Sequence, residues 1–143
     1  GLGDVYKRQA HSTLLSADVA AAFDPNYPGV GDNANFAAIG QGIAMVKYTG
    51  SRGKSGANDA AAELVGKVRK LFNDHGVVYQ TSELGKVDQG GGGTIAYIMA
   101  NYDMDVIDAG VAMLSMHAPW EIVSKADVYM TSRAYREFFV NYR

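Results

Sequence analysis

The chain reads as an α/β fold, a three-layer α/β/α arrangement with helices on both faces of a largely parallel sheet, and three observations predict it. Short apolar runs alternate with stretches of helical periodicity along the whole length. The longest apolar run, Val106 to Leu114, lacks strict alternation, as does a strand buried on both faces of a parallel sheet. No internal repeat or linker interrupts the 143 residues, which is the size of one domain. Five strand-like runs and three helices can be counted.

In chain order, the first nine residues, Gly1 to Gln9, do not join the pattern that follows; they read as a non-native, adaptor-derived leader, with the natural chain expected to continue upstream. His11 to Ala17 is a short strand with Asp18 at its end. Two readings of Asp18 stand side by side: it caps a turn or helix through Ala20 to Ala22, or its carboxylate reaches from the strand end into a cleft. Asp24-Pro25-Asn26-Tyr27-Pro28-Gly29 is a turn by composition, and the small, polar residues up to Gly42 form a loop.

Gly42 to Thr49 is the next strand, apolar except for Lys47. Thr49-Gly50-Ser51-Arg52-Gly53-Lys54-Ser55-Gly56 resembles a phosphate-binding P-loop in its Gly-Lys-Ser ending, but Tyr48 stands where that pattern needs glycine. The alternatives are a P-loop-like nucleotide-binding α/β domain and an ordinary connection. Asn58 is then expected to cap a helix in which Ala61, Leu64, Val65, Val68, Leu71 and Phe72 share one face, ending at Gly76. His75, in its last turn, and His11 are assigned no chemistry.

Val77 to Thr81 is another strand, and Ser82 to Gln89 is polar. Four glycines, Gly90 to Gly93, precede a short helix with Ile95, Ile98, Met99 and Tyr102 on one face; glycines there allow either a tight turn or close approach to a ligand. After the Val106–Leu114 strand, a helix from about Glu121 to Tyr142 carries Ile122, Val123, Ala126, Met130, Ala134 and Phe138 on one face, with Pro119 in its first turn. Tyr135, Phe138, Phe139 and Tyr142 read as cover for a core or a subunit contact.

Composition narrows the function classes. With 48% hydrophobic and 20% charged residues and a net charge of −2, the chain is globular and carries no basic surface that would call for nucleic acid or a membrane. It contains no cysteine, which excludes disulfides and thiolate metal sites and fits a cytoplasmic location. No run approaches the ~18–20 apolar residues of a membrane span.

Chemistry points to Leu114-Ser115-Met116-His117-Ala118-Pro119-Trp120-Glu121. His117 lies where a buried strand gives way to a helix, at the carboxyl edge of a sheet, and in open α/β folds ligands bind at that edge. By itself the histidine is open to either reading, ligand or structural residue. Ser115 to Glu121, followed by Ser124-Lys125-Ala126-Asp127-Val128-Tyr129, is similar to the carboxyl-terminal signature of the M18 aminopeptidases, the aspartyl aminopeptidase family. A second match stands in Leu15-Ser16-Ala17-Asp18-Val19-Ala20-Ala21-Ala22-Phe23-Asp24-Pro25-Asn26-Tyr27. The resemblance runs from about Leu14 to Phe139.

It implies that this is the carboxyl-terminal part, residues 10–143, of a zinc-peptidase-like catalytic domain, and that Asp18 and His117 are ligands of a two-zinc (Zn2+) centre. It also implies that Lys47, Met116 and the Gly92-Gly93 turn face substrate. Acid-preferring relatives carry histidine where Asp24 stands here, so a neutral or basic substrate residue is expected to be preferred over Asp or Glu. The family's remaining ligands and its general-base glutamate lie upstream of the matched part, so these 143 residues alone are expected neither to hold two zinc ions nor to cleave peptides. Large homo-oligomers, tetrahedral dodecamers, are common in the family.

Overall fold

The computed structural model describes residues 1–51, 55–86 and 92–143. In chain order the elements are α1 (Leu2–Ala10), β1 (Thr13–Ser16), β2 (Ala20–Ala21), β3 (Ile43–Val46), β4 (Tyr48–Ser51), β5 (Ser55–Asp59), α2 (Ala62–Asp74), β6 (Tyr79–Ser82), α3 (Ala96–Ala100), β7 (Asp105–Gly110), β8 (Ala112–Leu114), β9 (Ile122–Val123) and α4 (Lys125–Asn141). A four-stranded sheet runs in the order β1-β7-β3-β6, a three-stranded sheet in the order β2-β8-β9, and β4 pairs with β5.

Period-2 alternation divides the central sheet into two unlike faces. Ile43, Met45, Ile107 and Ala109 point one way and form the main core with Leu64, Val68, Leu71 and Phe72 of α2 and Ala134 of α4. Each large side chain buried there contributes roughly 1.5–3 kcal/mol before entropy. Ala44 and Val46 point the other way, against Ala20, Ala22, Ala37 and Ala112. Side chains that small let the second sheet approach closely.

The site depends on a paired crossing between the two sheets. β1 lies parallel to β7 in the first sheet, and β2 lies parallel to β8 in the second. The chain therefore passes from one sheet to the other twice, side by side, at residues 17–19 and at Val111. The joint is tight: a Cβ at Gly110 would come within 1.9 Å of the Asp18 carbonyl oxygen, so only glycine fits there.

Several sequence expectations need correction. The central sheet is mixed, because β3 runs antiparallel to β7 between two parallel pairs. The apolar run Val106–Leu114 is two strands broken at Val111, and Gly42–Thr49 likewise divides at Lys47. Asn58 does not cap a helix; it lies in β5, where its buried Nδ2 donates to the Val106 carbonyl at 3.0 Å. The Ala60 amide continues the extended pairing by donating to Lys47 O at 2.9 Å, so tertiary pairing overrides the local capping preference and α2 starts at Ala62.

The β4–β5 hairpin also removes the strand-turn-helix context that a P-loop requires. Arg52, Gly53 and Lys54, which carry that motif, lie outside the described residues, as do Gly90 and Gly91 of the glycine run. The last helix begins after Ser124 rather than near Pro119, because Ile122 and Val123 pair antiparallel with Leu114 and Met113. In α3 the inward residue is Ala96, while Ile95, Ile98 and Tyr102 are exposed. Tyr135, Phe138 and Tyr142 pack on the main core, whereas Phe139 is exposed. The amino-terminal residues fold as α1, which buries none of its side chains.

Candidate functional site

A cleft of about 560 Å³ opens where the paired crossing meets the loop between β8 and β9. Asp18, Met116, His117 and Glu121 line it from that side, Gly92, Gly93 and Thr94 from another, and Val30 and Phe36 close it from the loop after β2. Two residues far apart in sequence, Asp18 and His117, thus face the same space.

Local backbone chemistry explains their placement. Asp18 is half-buried in the turn that carries the chain from β1 to β2, and its Oδ1 accepts the Val19 amide at 2.9 Å. Ala20 to Ala22 are extended rather than helical, so Asp18 caps no helix. His117 stands on the loop joining β8 to β9, with the register Leu114↔Ile122 holding the loop's ends together. Ser115 and His117 both have positive φ, 58° and 68°, which costs a non-glycine residue on the order of 1–3 kcal/mol. The fold offsets part of this within the loop. The Glu121 carboxylate accepts the His117 amide at 2.8 Å, and the Ser115 carbonyl accepts the Ala118 amide at 2.9 Å. Glu121 therefore fixes the backbone that presents the imidazole.

Beneath the cleft lies a second carboxyl group. Asp108, on β7 opposite Ser16 of β1, is 1% exposed. Its Oδ2 accepts the Thr94 hydroxyl at 2.9 Å, and among the described residues its Oδ1 has no hydrogen-bond partner. Burial pushes its pKa up, the nearby charge of Asp18 adds to the rise, and the Ser16 and Thr94 hydroxyls oppose it. Tyr135 of α4 donates its hydroxyl to the Ala109 carbonyl at 2.8 Å; burial first, then the charge of Asp18, raises its pKa to about 12.

The other sequence candidates lie elsewhere. Gly92, Gly93 and Met116 line the cleft; Asp24 and Lys47 do not. Asp24 closes its own turn by accepting the Asn26 amide at 2.9 Å. Lys47 is ion-paired with Asp59, near half-buried Glu83, whose pKa is raised chiefly by burial, lowered by Lys47 and raised again by Asp59. Sequence reading gave no role to Asp108, Thr94 or Glu121. The available signals were an acid inside an apolar run for Asp108 and the spacing of four residues from His117 for Glu121. A further anchor was also missed: Asp127 of α4, 1% exposed, accepts the amides of Gly40 at 2.6 Å and Gly42 at 2.8 Å, tying α4 to the segment that enters β3.

Comparison with known proteins identifies the family and the fold. The sequence profile described as aminopeptidase I zinc metalloprotease (M18) matches residues 4–139. The probable M18 family aminopeptidase 1 of Clostridium acetobutylicum is 60% identical over 131 residues, covering 92% of this chain but 28% of that protein. Among solved structures, the aminopeptidase I of C. acetobutylicum is 58% identical with a TM-score of 0.89, over 96% of this chain and 30% of that one. The M18 aminopeptidase of Thermotoga maritima is 51% identical with a TM-score of 0.88, over 93% of this chain and 30% of that one. A yeast aminopeptidase 1 dodecamer, 24% identical with a TM-score of 0.74 over 97% of this chain and 29% of that one, shares the fold. The chain thus spans under a third of the length of each of these relatives. On the strength of the profile and these relatives, the chain belongs to the M18 family of zinc metallopeptidases.

Proposed function

We propose that residues 10–143 form the carboxyl-terminal part of the catalytic domain of a dinuclear zinc aminopeptidase, which removes amino-terminal residues from peptides. The observation that carries this reading is that Asp18 and His117 line one cleft although ninety-nine positions separate them. A carboxylate oxygen and an imidazole nitrogen suit zinc. Among the described residues no group of three or more His, Cys, Asp or Glu gathers as a complete metal cage. The donor set present therefore fits part of a centre, and the other donors and the general-base glutamate would come from the rest of the full-length protein.

Bound zinc supplies Lewis-acid polarisation of the scissile carbonyl and a water nucleophile near neutral pH. Within this chain, Asp18 would hold one ion and His117 the other, with Glu121 fixing the His117 backbone. Gly92, Gly93 and Met116 would bound the peptide. Without the missing donors, these 143 residues alone would neither retain two zinc ions nor cleave peptides.

The preference for neutral or basic substrate residues rests on the family resemblance, in which Asp24 replaces the histidine of acid-preferring relatives; within this chain Lys47, paired with Asp59, lies outside the cleft. In a zinc-loaded assay of the full-length protein, Leu and Lys arylamides are cleaved faster than the Asp arylamide by roughly tenfold or more, since like charges in a pocket cost on the order of 1–4 kcal/mol. Clear preference for Asp contradicts the specificity, and no cleavage of any arylamide contradicts the peptidase reading.

Exposed Trp120, Tyr129 and Phe139 support assembly into a homo-oligomer, a dodecamer by family resemblance, which sedimentation of the full-length protein measures directly. A sequence free of cysteine supports a cytoplasmic location.

A further inference from the structure

The buried Asp108–Thr94 pair is larger in consequence than its place beneath the cleft implies. The Thr94 hydroxyl makes two bonds at once, donating to Asp108 Oδ2 at 2.9 Å and accepting the Ala96 amide at 3.1 Å, so it joins β7 to the start of α3. Immediately before it, the Gly92 carbonyl accepts the Gly50 amide at 3.2 Å. Gly92 and Gly93 have no side chains to pack, and the backbone freedom of glycine makes such a segment costly to order. Its position is therefore set from its two ends, by the hairpin on one side and by Thr94 on the other.

We infer that Asp108 is a positioning residue that acts through Thr94 to hold Gly92 and Gly93 as a wall of the substrate cleft, and so governs peptide binding. This rests on the reading of the cleft as the peptide site. An apolar residue at position 108 would suit the strand's apolar run as well, since its neighbours Val106, Ile107 and Ala109 are all buried. A buried carboxyl group is expensive, and among the described residues the one close hydrogen bond that this one makes is with Thr94, while the Ser16 hydroxyl lies near it without a close bond. The bond it does make leads to the cleft wall, and that is the return on the cost of burying it.

The test uses the full-length, zinc-loaded enzyme and a Leu arylamide, with kcat, KM, zinc content and thermal midpoint measured for each variant. Thr94→Val removes the hydroxyl while keeping the shape, and leaves a buried carboxyl oxygen without its donor. It is expected to raise KM about tenfold, the equivalent of about 1.4 kcal/mol, with a smaller change in kcat and unchanged zinc content. Asp108→Leu is expected to behave alike, while Thr94→Ser and Asp108→Asn, which retain a donor and an acceptor, raise KM less. If Asp108→Leu does not fold, the comparison of Thr94→Val with Thr94→Ser carries the test.

An unchanged KM in a folded Thr94→Val enzyme overturns the inference. So does a fall in kcat or zinc content as large as the change in KM, because the pair would then act on the metal or the fold rather than on the wall. A wild-type enzyme that cleaves no arylamide defeats the functional reading instead, and the two failures are thereby distinguished.

Discussion

Asp108 shows how much one side chain can be asked to carry. Its pKa is raised by burial first, and an acid raised in the folded state contributes stability that is present below its ordinary value of about 3.9 and is lost as pH rises through the raised value. Asn at this position does not titrate. In the metal-free full-length protein, the stability of Asp108→Asn relative to wild type should therefore increase as urea denaturation is repeated from about pH 4 towards neutrality; a difference that stays flat across that range contradicts the assignment.

Legibility at this scale divides by the kind of signal. That Asp18 and His117 share one cleft was legible because each stands in an ordered motif, and Gly92, Gly93 and Met116 line the same cleft. Lys47 and Asp24 carry charge in turns and at a strand end, where partners are set by folding: one pairs with Asp59 and the other with its own backbone. Glu121 and Asp127 bond to backbone amides that no local pattern identifies.

At the scale of elements, the buried face of α2 was the most legible. The stripe of Leu64, Val68, Leu71 and Phe72 repeats within a few residues, so its buried face follows from local spacing. Strand pairing is non-local, and three of the corrections come from it. The break at Val111, the hairpin that absorbs Asn58, and the pairing of β9 that delays α4 all depend on partners distant in sequence.

The joint at Gly110 makes the consequence measurable. Gly110→Ala would force a Cβ to within 1.9 Å of the Asp18 carbonyl oxygen and should destabilise the fold by roughly 1–3 kcal/mol in urea denaturation. Gly66→Ala is the matched control: it lies on α2 with nothing within 4 Å, and should stabilise by roughly 0.5–1 kcal/mol. Equal effects of the two substitutions would mean that the paired crossing is not the tight contact described here.

For the molecule as a whole, two sheets meeting at a paired crossing bring together groups that the sequence keeps apart. The alternation of strands and helices made the α/β class legible, while the mixed pairing and the second sheet had no local signature. The chain also corresponds to 28% of the C. acetobutylicum relative's length, and in the proposed reading the centre would be completed by residues beyond these 143. Elemental analysis of zinc in the purified full-length protein, wild type beside Asp18→Ala and His117→Ala, tests that proposal most directly. The account predicts about two zinc ions per wild-type chain and the loss of about one in each variant. Zinc content that is the same in all three proteins would contradict it.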